Sequence, residues 1–295
     1  MMNLFSINAE LDKSLVIEAL NESPIESLWD SILRLQVEIY ADKEIAYIHK
    51  KIPSWYAINS VIDVGCGNAA YAAYLANKFP EKIFHGIDAN PQLLKIADES
   101  YNLPNITFSH ADASRLAEEV TGRFDAAIFR FVVQHLTDPC AVLSGIHASL
   151  QPGGRIIIID SADDLFSSSM NSVYLDSLFE SIKSAPHKIK NDRHASFNVM
   201  TDISNKNSQI SKLFEVEVSN INLEAKAVAN EQFILKTRQE KELIFAQKII
   251  FFQIWKQQYG LEVNLSRVYD EYKAFVLDEA AFLCDGSHIL ILKKI

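Results

Sequence analysis

Beyond residue 60 the chain alternates short apolar runs with longer stretches in which apolar residues return every three or four positions. The runs at 61–64, 83–87, 106–109, 126–129 and 155–160 are predicted strands, and 71–78, 91–99 and 140–150 are the amphipathic segments between them. Runs too short for helices, joined by helical crossovers, predict βαβ units and a largely parallel sheet. Every parallel strand then ends at one edge, where open sheets of this kind take their ligands. The expected class is α/β, a doubly wound, mainly parallel sheet.

The flanks modify this picture. Upstream, Ile25, Leu28, Trp29, Ile32, Leu33 and Leu35 recur at mostly helical spacing after Ser23-Pro24, a plausible helix start. Downstream the pattern loosens into a helix near 173–183, a polar segment over 191–208, an alternating strand over 214–223 and a final apolar strand over 288–292. Residues 231–283 read as helices rich in aromatics, among them Phe233, Phe245, Phe252 and Tyr272, most of them expected in a core. The boundaries expected are a helical segment over 1–57 and a main domain over 58–295, with helical insertions at about 163–210 and 229–284. The final strand is expected to run antiparallel, and the insertions to form a helical cap.

A length of 295 residues fits one elaborated α/β domain. The net charge of −10 repels phosphate backbones, so no nucleic-acid partner is expected. Cys66, Cys140 and Cys284 are widely spaced and form no CxxC pair, which argues against a disulfide framework and a zinc site. His187 and His194 show no metal-ligand spacing, and no metal is expected. No apolar run reaches membrane-spanning length without charges, so no membrane partner is expected and the cytoplasm is the simplest compartment.

Chemistry concentrates at the strand ends. In Val61-Ile62-Asp63-Val64-Gly65-Cys66-Gly67-Asn68-Ala69-Ala70 a buried strand runs into a glycine turn and then a helix. Gly65 and Gly67 let the backbone turn tightly and approach a ligand that a Cβ would exclude. A structural strand-to-helix corner is the plainer explanation of the same glycines. Asp63 can fix the loop or reach a ligand ammonium group. Asp88 ends the next strand and is suited to accept both hydrogen bonds of a ribose diol, or to cap the helix entered at Pro91. Asp112 follows the third strand, where it can accept from an exocyclic adenine amine while the Ala113 N–H addresses a ring nitrogen.

Asp63-Val-Gly-Cys-Gly, Gly86-Ile-Asp88, Ala111-Asp112-Ala113, Phe124-Asp125-Ala-Ala-Ile-Phe-Arg130 and Leu150-Gln-Pro-Gly-Gly-Arg155 together resemble the ordered motifs of class I methyltransferases that use S-adenosyl-L-methionine (SAM). The resemblance covers roughly residues 58–160 and implies a Rossmann-like fold with SAM as cofactor and S-adenosyl-L-homocysteine (SAH) as product. It assigns the methionine end of SAM to Asp63, Gly65 and Gly67, the ribose to Asp88 with Ala89, and the adenine to Asp112 and Ala113. Many members carry a third glycine where this chain has Ala69, which puts the loop geometry in question. The stretch Arg34 to Tyr40 resembles the helix that closes over SAM in many small-molecule methyltransferases. Gln36 and Tyr40 share one helical face and are expected at the methionine portion, with ordinary packing of Tyr40 as the alternative.

Methyl transfer is an in-line substitution, and a general base is needed only when the nucleophile arrives protonated. His135, after the fourth strand, and Asp160, at the end of the fifth, are the pair expected to take that proton, although a histidine at this place can simply cap a turn. Arg130 is expected to bind a cofactor or substrate carboxylate, or else to be a salt-bridged rim residue. The expected partner is a small-molecule methyl acceptor with an oxygen or nitrogen nucleophile; a homodimer is left open. Two rivals stand beside the enzyme: a SAM-binding regulatory or scaffold protein without catalysis, and an NAD-dependent oxidoreductase.

Overall fold

The computed structural model describes residues 3–116, 124–162, 167–183, 192, 194–219 and 234–295. Its strands are β1 (Ser60–Val64), β2 (Ile83–Asp88), β3 (Ile106–His110), β4 (Phe124–Arg130), β5 (Leu150–Ser161), β6 (Ser167–Ser168), β7 (Phe214–Ser219), β8 (Ile234–Leu235), β9 (Leu283–Cys284) and β10 (Ser287–Lys294). The helices are α1 (Lys13–Glu22), α2 (Ile25–Lys51), α3 (Ala70–Lys78), α4 (Pro91–Ser100), α5 (Pro139–His147), α6 (Val173–Lys183), α7 (Ala195–Ser204), α8 (Arg238–Tyr259) and α9 (Leu265–Leu277). Contacts divide the chain into two units: Met1–Lys43 with Leu165–Lys190 and Ala229–Asp285, and Glu44–Asp164 with Asn191–Val228 and Gly286–Ile295.

The second unit holds a seven-stranded sheet in the order β3-β2-β1-β4-β5-β10-β7. Strands β3, β2, β1, β4 and β5 are parallel neighbours, and β10 runs antiparallel between β5 and β7. This is the α/β class expected, with its antiparallel strand, and the order reverses direction at β1/β4. Val61, Ile62, Val64, Ile128, Phe129 and Ile157 are fully buried, as the continuous apolar runs of a sheet covered on both faces require. At its far end Arg155 and Glu217 bridge β5 to β7, and the Lys294 ammonium closes the last carbonyls of α5 at His147 and beyond at Leu150.

Two elements depart from their expected bounds. β5 begins at Leu150 and absorbs the Pro152-Gly153-Gly154 turn, where the register against β4 shifts between Phe124 and Ala126. Within the segment read as polar, Ala195–Ser204 is a helix: Val199, Met200 and Ile203 recur at three- and four-residue spacing and are buried beneath an otherwise polar surface.

The first unit is helical apart from the small sheet β6-β9-β8. Its core joins Leu20, Leu28 and Ile32 to Phe245, Phe252 and Tyr272 of the aromatic helices. Local signals delimit these helices: Asp12 caps α1, Thr237 and Glu240 form a reciprocal capping box on α8, and Gly260 ends α8 at φ +63°. Parts of the expected insertions, at 163–166, 184–191 and 229–233 and including His187 and Phe233, lie outside the described residues, as does the 220–223 end of the strand expected over 214–223.

Candidate functional site

The carboxyl ends of β1, β2 and β4 meet in the second unit, and the loop after β1 is built to lie close to them. Gly65 sits at φ +72° and Gly67 at φ +58°. A Cβ on Gly65 would stand 2.5 Å from Val132 Cγ2, so no side chain fits there. The N–H groups of Gly65 and Cys66 both donate to the Ile87 carbonyl, at 2.8 and 2.9 Å, pinning the loop to β2. Ala69 adopts φ +58° at the N-cap of α3, a left-handed conformation that glycine takes without strain. The position where a third glycine is common in the resembling family therefore keeps the backbone of a glycine, at an energetic cost.

Asp88 ties the second strand end to that loop. Its Oδ2 accepts the Gly67 N–H at 2.7 Å and its Oδ1 accepts the Asn90 N–H at 2.8 Å. The cap of α4 is Asn90, whose side chain accepts the N–H groups of Gln92 and Leu93, so Asp88 is not spent on the helix. A carboxylate has about four acceptor sites. The Gly67 and Asn90 N–H groups use two of them, and the remaining capacity suits the hydroxyls of a ribose diol. Burial raises the Asp88 pKa above the ordinary carboxylate range against those hydrogen bonds. Beside it, the Ala89 carbonyl lies 3.1 Å from His110 Nε2.

Asp63 is 3% exposed and makes no side-chain hydrogen bond among the described residues. Burial pushes its pKa from an ordinary 3.8 up to about 7; Arg130 pulls it down and Asp88 pushes it further up. Asp112, by contrast, is exposed, and its Oδ1 accepts both the N–H and the hydroxyl of Ser114 at 2.8 Å, which lowers its pKa. It caps the short 3₁₀ turn Ala113–Arg115.

Arg130 forms a buried ion pair inside the unit and is not a rim residue. Its Nε lies 2.9 Å from Glu44 Oε2 and its Nη2 3.3 Å from Oε1, both side chains being buried. The guanidinium stacks on the rings of Tyr71, at 4.5 Å, and Phe131, at 4.6 Å. Phe131 reaches this place with φ +58°, a strained conformation for a residue with a large side chain. Glu44, Tyr71 and Phe131 are absent from the sequence-derived site. Glu44 lies among the charged residues Asp42 and Lys43 and carries no signal that singles it out.

Asp160 is buried at the end of β5. Its Oδ2 accepts the Gln134 N–H at 2.9 Å and the Ser196 hydroxyl at 3.4 Å, and its Oδ1 accepts the Ser161 N–H. The carboxylate thus fixes the residue preceding His135. His135 ends the 3₁₀ turn Val133–His135 and is exposed. Gln36 and Tyr40 fall in the first unit, where the Tyr40 hydroxyl donates to Asp285 Oδ2 at 2.7 Å and Lys248 pairs with the same oxygen. Among the described residues no three His, Cys, Asp or Glu side chains cluster as metal ligands, and no helix is long and apolar enough to cross a membrane.

Comparison with known proteins sharpens the reading of the second unit. A family profile described as methyltransferase domain matches residues 61–154, from β1 to the glycine pair in β5. The chain is 32% identical over 98 residues to trans-aconitate 2-methyltransferase of Deinococcus radiodurans, covering 33% of this chain and 36% of that protein. It is 28% identical over 102 residues to ubiquinone biosynthesis O-methyltransferase of Pseudomonas paraeruginosa, covering 34% and 43%. The chain thus spans less than half the length of these curated relatives. Among solved structures, the plantazolicin methyltransferase BpumL in complex with SAH superposes with a TM-score of 0.49 at 15% identity, over 96% of this chain and 95% of that one. Residues 61–154 thus resemble a methyltransferase domain, and they lie within a sheet of strand order 3-2-1-4-5-10-7 with a glycine turn after β1.

Proposed function

We propose that this chain is a cytoplasmic, SAM-dependent methyltransferase acting on an oxygen or nitrogen nucleophile of a small molecule. The observation that carries the reading is the set of acids at three successive strand ends, Asp63, Asp88 and Asp112, around a glycine turn within the matched segment. The residues fit the cofactor by their chemistry. Asp63 is a buried carboxylate to which no hydrogen-bond donor among the described residues points, suited to an ammonium group. Asp88 retains acceptor capacity suited to a ribose diol, and Asp112 and Ala113 offer an acceptor and an N–H at the next strand end.

Bound SAM supplies an electrophilic methyl group on a sulfonium centre. This chain's own part is to hold and align. The Asp88 bond to Gly67 locks the turn in place beside the strand-end acids, and fixed geometry accounts for much of what such enzymes contribute. Asp160 anchors the turn that carries His135 through the Gln134 N–H, and His135 takes the acceptor's proton where that proton must leave.

A small acceptor is supported by two of the relatives, which are named for trans-aconitate and for ubiquinone biosynthesis. The net charge of −10 makes a nucleic-acid substrate unfavourable. The test is incubation of the purified chain with SAM carrying an isotopic label in its methyl group and a small-metabolite extract. Label appearing in a small product supports the reading; SAM bound but no label transferred across broad extracts would leave a binding protein without catalysis.

A further inference from the structure

We propose that Glu44 is a positioning residue for the cofactor site: by holding the Arg130 guanidinium, it leaves the Asp63 carboxylate to meet the ammonium group of the cofactor. The inference rests on the reading of this chain as a SAM-binding protein. Its basis is an imbalance of charge. Two almost wholly buried carboxylates, Glu44 and Asp63, share the influence of one guanidinium, and Asp88 adds a further negative charge beside Asp63.

Arg130 stands near enough to Asp63 to pull its pKa down, and an arginine oriented toward Asp63 would neutralise it. Glu44 counters this by taking one edge of the guanidinium, its Nε and Nη2 donors, and so fixing its orientation. Tyr71 and Phe131 hold the plane from either ring, and Phe131 does so at the strained φ of +58°. The groups facing Asp63 are therefore Arg130 from β4, Asp88 from β2, Cys66 from the loop and Tyr71 from α3, with Glu44 of α2 behind Arg130. The Tyr71 hydroxyl is buried with no hydrogen-bond partner among the described residues, so it does not relieve Asp63 either. A site left short of positive charge in this way favours a cationic ligand, and binding of an ammonium group to Asp63 releases the proton that burial holds there.

The experiment is calorimetric binding of SAH to the full chain at pH 6.5 in two buffers of different ionisation enthalpy, which counts the protons released, together with the affinity at pH 8. In the wild type, binding releases a proton at pH 6.5 and tightens toward pH 8. Glu44→Gln frees Arg130 for Asp63, so proton release at pH 6.5 falls by about half or more and affinity at pH 8 weakens roughly tenfold, the scale of one charge-assisted contact. Glu44→Asp keeps the release. The double variant Glu44→Gln/Arg130→Met removes the cation, keeps a foldable interior, and restores the release.

Wild-type proton release in both Glu44→Gln and the double variant would overturn the role of Glu44 while leaving SAH binding intact. Equal loss of release in both variants would make Glu44 merely structural and overturn it too. A wild type that does not bind SAH would overturn the parent reading and this inference with it.

Discussion

Replacing Asp63 by Asn tests the electrostatics of the site without any ligand. The buried carboxyl keeps its proton to about pH 7, against an ordinary value of 3.8. Between those values the folded chain holds a proton that the unfolded chain has already lost, so raising the pH draws stability away. The loss grows through this window and levels off above about pH 7. At 1.36 kcal/mol for each pH unit of displacement, the carboxylate costs the folded state about 4 kcal/mol at pH 8. Asparagine has nearly the same shape and no charge to bury. The unfolding free energy of Asp63→Asn minus that of the wild type should therefore rise by about 3 kcal/mol between pH 4.5 and pH 8. Urea titrations at pH 4.5, 6 and 8, followed by far-ultraviolet circular dichroism, measure this difference. A difference constant across the series would refute the picture of Asp63 as a buried, uncompensated acid. The same variant should bind SAH weakly at pH 8, because the group that stabilises the apo protein when removed is the one the ligand needs.

Three further outcomes follow from the loop and its neighbours. Asp88→Asn should weaken SAH binding roughly 10- to 100-fold, the loss of charge-assisted bonds to a diol and of the Gly67 tether, measured by calorimetry; unchanged affinity would remove Asp88 from the ribose site. Ala69→Gly should raise stability by about 0.5–1 kcal/mol, since relief of the left-handed strain outweighs the added freedom of the unfolded chain, and a lower urea midpoint would contradict the φ of +58°. Gly65→Ala should cost about 2–4 kcal/mol from its clash with Val132 and its positive φ, and adding Val132→Ala should recover only the clash; full recovery would show that backbone conformation is not at issue.

Where the sequence was legible, a local signal and its physical cause lay within a few residues of each other. Val61-Ile62 and Ile156 to Ile159 are buried runs that no helix of that length explains, and an acid directly after such a run marks the functional edge. Asn90 caps α4, which frees Asp88 for another role; the sequence before Pro91 left open whether Asp88 was spent on that cap. The Arg130 pair was not legible because Glu44 lies 86 residues away and only the fold brings the two together. Phe131 gave no warning of a positive φ, since nothing in its side chain favours that conformation; tertiary packing against Arg130 accompanies it. Helix Ala195–Ser204 hid behind Ser, Asn, Thr and Asp on its outer face, while its inward stripe of Val199, Met200 and Ile203 is too short to dominate a composition-based reading.

The central claim is that the strand-end acids form a SAM site, and titration calorimetry of the purified chain with SAH and, separately, with NAD tests it most directly. Saturable binding of SAH with no measurable binding of NAD is the predicted result; selective binding of NAD would contradict it.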